Sequence, residues 1–171
     1  MTRKSRNVET RMVSEYLLAN YSKFPHLMAQ PLGVIDEALM IKEGYNRALK
    51  FSRPYRPECD AIVILPNYLL LIEAKVWNIV NGLAKLPLYR SLIPVTPELK
   101  QYMPREIIMQ IVVGWTNLNL EIMARDLGVE VKTYAPEWLK DVIESMQKYW
   151  TAEYQAARQK KLQMREYFGV E

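Results

Sequence analysis

Asp60, Glu73 and Lys75 are the residues of this chain whose types and spacing could do chemistry. They lie in one stretch, residues 57–75, where two apolar runs flank Pro66-Asn67. Aliphatic and β-branched runs of this length around a turn pair read as a β-hairpin. Neither run alternates with polar residues, so both faces are expected to be covered, as in the middle of an α/β sheet. With Pro66-Asn67 as a two-residue loop, Leu65 faces Tyr68, Val63 faces Leu70 and Asp60 faces Glu73. Side chains repeat every second residue, so Lys75 shares the face of Glu73. Proline suits the first position of a tight hairpin turn poorly. A longer loop with a bulge would slip the pairing by one and send Asp60 to the other face.

Two facing carboxylates repel, and burial adds a desolvation cost. A divalent cation between them removes both problems. Hard oxygen ligands suit Mg²⁺ or Mn²⁺, with the remaining positions left to water and substrate phosphate. Lys75 would then stand beside water and phosphate. There it could orient or deprotonate the water, or neutralise charge developing in the transition state. The ordinary alternative is a hairpin with a surface Glu-Lys pair and a capping Asp, since E-x-K alone occurs often by chance.

The run Arg56-Pro57-Glu58-Cys59-Asp60, then twelve residues, then Glu73-Ala74-Lys75 on a hairpin resembles the PD-(D/E)XK nuclease superfamily, in its RecB-like and Holliday-junction-resolvase-like small members. The proline precedes the Asp by three positions rather than one. The resemblance implies a restriction-endonuclease-like core. It implies that Asp60 and Glu73 bind the metal with the peptide carbonyl of Ala74, and that Lys75 is catalytic. The stretch Val8–Leu17 resembles the opening helix of the superfamily, where a Glu often assists the metal, and Glu9 stands there. After the Lys, RecB-like members carry Gln-x-x-x-Tyr. Here the spacing matches Lys85-Leu86-Pro87-Leu88-Tyr89, with Lys in place of Gln and a proline between. Lys85 could meet phosphate in its own right, beside Tyr89.

Those residues need elements to hold them. Asn7 is a suitable N-cap for a helix reaching about Tyr21, with Val8, Met12, Val13, Tyr16 and Ala19 as its apolar face. Glu9 lies on that inward face and has two readings: it favours the helix dipole, or it reaches the metal site. Residues 24–33 read as a short edge strand, given two prolines. Residues 34–56 are the least readable, with Gly44 as a break. There Arg47, Lys50, Arg53 and Arg56 interleave with Tyr45, Phe51 and Tyr55. That pattern suits a nucleic-acid groove, with Arg53 and Arg56 on phosphate, or else a solvated loop with aromatics tucked beneath it. Residues 76–92 read as a helix with Trp77, Val80, Leu83, Ala84, Leu88 and Leu92 as its stripe and Pro87 as a kink. Thr96 is expected to cap a helical start at Pro97. A buried strand over 106–114, a helix over 118–127 closed by Gly128, and a strand over 129–134 complete an α/β order. A long helix over 136–167 follows, polar beyond Thr151.

Bulk composition narrows the function classes. The chain has 171 residues, half of them apolar and a quarter charged, as in one ordinary globular domain. Net charge is +4, which fits a polyanionic partner. One Cys excludes an internal disulfide framework and a Cys-type zinc site, and one His argues against a multi-histidine metal site or a Ser-His-Asp triad. Cys59 reads as a small buried neighbour of Asp60, and His26 as an ordinary packed or exposed residue. No apolar leader and no run of 18 apolar residues is present, so a soluble, cytoplasmic protein without a membrane partner is expected.

The sequence thus points to one α/β domain over 1–171, with a mixed central sheet flanked by helices. A basic arm at 1–6 and a polar helical extension at 151–171 complete it. The expected activity is a Mg²⁺- or Mn²⁺-dependent nuclease, acting on DNA in recombination or repair, directed by structure or ends rather than sequence. Its stand-alone size also suits a virus or mobile element. A homodimer through the C-terminal helix is a further expectation. The rival class is a non-catalytic DNA-binding or assembly protein that keeps the fold.

Overall fold

Two antiparallel strands meet at Leu65-Pro66-Asn67-Tyr68, and the rest of the sheet is built outward from them. The computed structural model describes residues 3–146 and 152–167. β2 (Glu58–Ile64) and β3 (Tyr68–Lys75) pair with Ala61 opposite Ile72 and Val63 opposite Leu70. The Leu65 N–H donates to the Tyr68 carbonyl at 3.0 Å. This is the register of a two-residue loop, and continuing it sets Asp60 across from Glu73. The turn proline causes no slip.

β1 (His26–Pro31) pairs antiparallel with β2 at one edge. Ala29 in its middle has φ 49°, a left-handed conformation unusual for a side-chain-bearing residue. β4 (Glu106–Val113) and β5 (Val129–Thr133) run parallel to β3. The sheet is therefore mixed, in sequential order β1-β2-β3-β4-β5. Parallel neighbours need crossovers, and two helices supply them: α4 (Ile79–Leu92) and α5 (Leu118–Asp126). Asn117 caps α5 by accepting the Leu120 N–H at 2.9 Å, and Gly128 leaves it with φ 65°.

Side-chain alternation assigns the faces. Ile62, Leu69, Leu71, Met109 and Ile111 form one core with Leu83 and Leu86 of α4 and Leu120 and Ala124 of α5. The opposite parity meets α1 (Arg3–Tyr21), whose Tyr16 hydroxyl donates to the buried Gln110 at 2.9 Å. Gln110 passes the bond on to Glu130 at 3.2 Å. The expected α/β architecture, a mixed sheet with helices on both faces, is the one observed.

Four local expectations are corrected. α1 begins at Arg3, not after Asn7, so residues 3–6 of the expected basic arm are its first turn; residues 1–2 lie outside the described residues. Its inward face uses Leu17, whereas Ala19 is exposed. α4 buries Ile79, Gly82, Leu83, Leu86 and Tyr89, leaving Val80, Ala84 and Leu88 of the expected stripe outside. Apolar residues surround nearly the whole of α4, so periodicity could not select its inner face. Thr96 takes the expected N-cap place before Pro97–Tyr102, but its side chain makes no cap bond; its hydroxyl donates to the Leu92 carbonyl and accepts the Gly33 N–H, both at 2.8 Å.

The unreadable segment forms α2 (Glu37–Glu43) and α3 (Tyr45–Ser52), parted by Gly44 at φ 76°. Asp36 opens α2 by accepting the Ala38 and Leu39 N–H groups. The chain divides into two compact units, Met1–Tyr134 and Ala135–Glu171. The second contains α6 (Glu137–Met146) and α7 (Ala152–Tyr167). The middle of the expected single helix, including Tyr149, Trp150 and Thr151, lies outside the described residues. No helix among the described residues is long and apolar enough to cross a membrane.

Arg56 locks the approach to β2. Its guanidinium takes both Glu98 oxygens at 2.8 Å and the carbonyls of Pro31 and Leu32 at 3.0 and 3.4 Å. The guanidinium is nearly inaccessible, so Arg56 braces β1 and offers little surface to the expected groove. Burial pushes the Glu98 carboxyl up, but the Arg56 hydrogen bonds, a backbone hydrogen bond and the Arg56 charge together outweigh it and hold the group below its ordinary 4.5. A carboxyl held low stabilises the fold above its unfolded value, and that stability is lost as pH falls through the folded one. Glu98→Ala is expected to cost about 3 kcal/mol at pH 7 by leaving a buried guanidinium unpaired. The cost should shrink below pH 4.5, which urea unfolding at both pH values will read.

Candidate active site

The carboxyl ends of the parallel strands lie together, since Lys75 pairs with Val113 and Val113 with Thr133. In α/β sheets that end is where ligands bind. Asp60, near the start of the antiparallel β2, arrives at the same end. Its Oδ2 accepts the Ala74 N–H at 2.8 Å, fixing the carboxylate against β3.

The Lys75 ammonium lies among the acids. Its Nζ is 3.0 Å from Glu73 Oε1, 3.3 Å from Glu9 Oε2 and 3.6 Å from Asp60 Oδ2. It also donates to the Ala74 carbonyl at 2.9 Å. Glu9 reaches in from α1, its other oxygen accepting the Val76 N–H at 3.3 Å. Because α1 starts at Arg3, Glu9 stands beyond the first turn, where the dipole has faded. Its carboxylate meets Lys75 and the Val76 N–H rather than the end of its own helix.

Burial grades these groups. The Glu73 side chain is 2% exposed and Asp60 33%, so one acid is sunk and the other meets solvent. Burial, and then the Asp60 charge, push the Glu73 carboxyl up to about 7. Burial also raises Glu9, against the pull of Lys75. Burial alone would lower Lys75, but the charges of Asp60, Glu73 and Glu9 overcome it and raise the group. Cys59 is driven upward by burial and then by Glu73 and Asp60, so it stays a thiol.

α4 adds two more groups. Lys85, 42% exposed, lies 3.8 Å from Glu73 Oε1. Tyr89 is buried, and burial followed by the Glu73 and Asp60 charges pushes its phenol up to about 12. Both members of the Lys85–Tyr89 spacing therefore feel the acid pair. Arg53 lies apart from this cluster, bonded to Glu58 at 3.2 Å and to the Ala29 carbonyl at 3.5 Å. It lines an open groove with Lys50, Pro54, Arg56 and Glu58 at the start of β2. Tyr45, Phe51 and Tyr55 in that segment are exposed rather than tucked beneath it.

Among the described residues no three His, Cys, Asp or Glu side chains are grouped to hold a metal by themselves. The oxygen donors here are of mixed kind: two carboxylates and the Ala74 carbonyl. Glu73 Oε2 is buried without a hydrogen-bond partner, a costly position for a carboxylate oxygen. An orphaned hard donor in such a set fits a hard divalent cation.

Sequence reasoning missed Gly82, which packs against the Lys75 stem. Its only signal was a glycine inside a helical run.

No protein-family model and no curated protein matches the sequence. Among solved structures, the chain is similar to a repair endonuclease from Pyrococcus abyssi, at 10% identity and a TM-score of 0.46, over 74% of this chain and 46% of that one. It is also similar to a protein of unknown function, at 10% identity and a TM-score of 0.46, over 76% of this chain and 60% of that one. The chain thus spans about half the length of the structures it matches.

Lys75→Ala removes the cation central to three acids, and is expected to cost about 3–5 kcal/mol in denaturant unfolding. Lys85→Ala, at a half-exposed site, should cost less than about 1 kcal/mol.

Proposed function

We propose that this chain is a Mg²⁺- or Mn²⁺-dependent nuclease that hydrolyses phosphodiester bonds, in DNA first of all, directed by ends or structure rather than sequence. The observation that carries this reading is the pair Asp60 and Glu73 on adjacent strands, with Lys75 between them and a Glu73 oxygen unpartnered. The cation would be held by Asp60, Glu73 and the Ala74 carbonyl, with Glu9 in support. Bound there, it supplies Lewis acidity and lowers the pKa of water.

The chain's own residues do the rest. Lys75 sits in a field that keeps it protonated, which favours charge stabilisation on the phosphate over proton abstraction. Lys85 points a half-exposed ammonium from the same site and suits a phosphate oxygen. Tyr89 stays a phenol through neutral pH and can donate a hydrogen bond. Arg53 and Lys50, with Tyr45, Phe51 and Tyr55 nearby in sequence, suit the flanking strand through phosphate contacts and stacking. Arg56 drops out of this set because its donors are spent inside the fold.

A second reading, a non-catalytic DNA-binding or assembly protein, draws on one observation. Lys75 already pairs with all three acids, so the cluster holds together with a cation of its own. Metal binding separates the two readings: Mn²⁺ should raise the melting temperature of the wild type and not of Glu73→Gln.

The deciding experiment offers linear, circular, single-stranded and branched DNA in Mg²⁺ and in Mn²⁺. Cleavage is expected, falling by on the order of a hundredfold or more in Asp60→Asn and in Glu73→Gln. Full activity in either variant rejects the assignment.

A further inference from the structure

Gly82 lies inside α4, where alanine is the more stable choice and glycine carries an entropic cost. Its backbone is not left-handed, so conformation does not call for glycine. Space does. A Cβ at this position would stand 2.6 Å from Lys75 Cγ, 3.4 Å from Lys75 Cδ and 3.2 Å from Ile111 Cδ1. Carbon atoms pack best about 3.5–4.0 Å apart, so the first contact is a collision.

Neither neighbour can readily yield. Ile111 is fully buried in the centre of β4. The Lys75 side chain is 7% exposed, and its far end is held by Ala74, Glu73, Glu9 and Asp60. The stem therefore runs pinned between β3 and α4, through the gap that a missing methyl leaves.

We propose that Gly82 is a positioning residue: its bare backbone is the channel that lets the Lys75 stem extend, so that its ammonium reaches the acids. The inference rests on the reading of Lys75 as the charge stabiliser of the proposed reaction. It makes α4 a determinant of where that charge sits, beyond supplying Lys85 and Tyr89.

Stability and kinetics test it separately. From helix propensity alone, Gly82→Ala should raise the melting temperature by about 2–4 °C. Instead it is expected to lower it in the wild type, and to raise it by about that amount in a Lys75→Ala background, where Cγ and Cδ are gone. If Lys75→Ala proves too unstable, the comparison moves to Glu73→Gln, Lys75→Ala, which carries less unpaired charge. An equal rise in both backgrounds overturns the inference. In cleavage assays Gly82→Ala should lower kcat about tenfold or more with KM within about twofold, and cause no further loss once Lys75 is alanine. The same loss in both backgrounds also overturns it. Should no variant and no wild type cut DNA, the nuclease reading fails, while the melting comparison still decides the role of Gly82.

Discussion

One ammonium holds three acids from three elements. Asp60, Glu73 and Glu9 come from β2, β3 and α1, and Lys75 lies within 3.6 Å of an oxygen of each. Without it the site would gather negative charge into a nearly dry corner, where mutual repulsion and desolvation act in the same direction. With it, the strands can close, the helix can lie down on the sheet, and Glu73 can be buried. The elements around the site can be read as means of keeping that nitrogen in place. The hairpin sets the facing acids, the inward face of α1 brings the third, and α4 leaves room for the stem.

The arrangement is rigid on one side and open on the other. Glu73, Glu9 and Lys75 are buried, whereas a third of Asp60 and much of Lys85 face solvent. That side presents an acid and an amine to solvent. The buried members set the field behind them. The Arg56–Glu98 clamp lies on the same β2 approach but serves the frame. A buried bidentate arginine fixes β1 to the turn at Pro97–Tyr102 and so steadies the strand on which Asp60 stands.

Much of this was legible in residue types. The hairpin register agrees with counting back from Pro66-Asn67, although two runs apolar on both faces could not by themselves exclude a slip. Glu9 was visible as a polar residue on an otherwise apolar helix face. The strands at 106 and 129 and the stop at Gly128 carried their own local signals. Other parts were invisible for physical reasons. α4 is apolar almost all round, so a wheel could not tell Leu86 from Leu88. Arg56 looked like its basic neighbours, because a partner 42 residues away leaves no local trace. Gly82 offered a glycine and no indication of what lay opposite. Nonlocal contacts decided all three cases.

The two margins of the sheet also set how this molecule can assemble. One outer strand is interrupted by a left-handed Ala29 and ends at Pro31, which has no N–H to give. The other, only five residues long, carries Glu130 and Lys132. Neither border is a good template for annealing a further strand. Growth of the sheet into a neighbour is thereby discouraged, and any companion would have to be met through side chains on helices and loops.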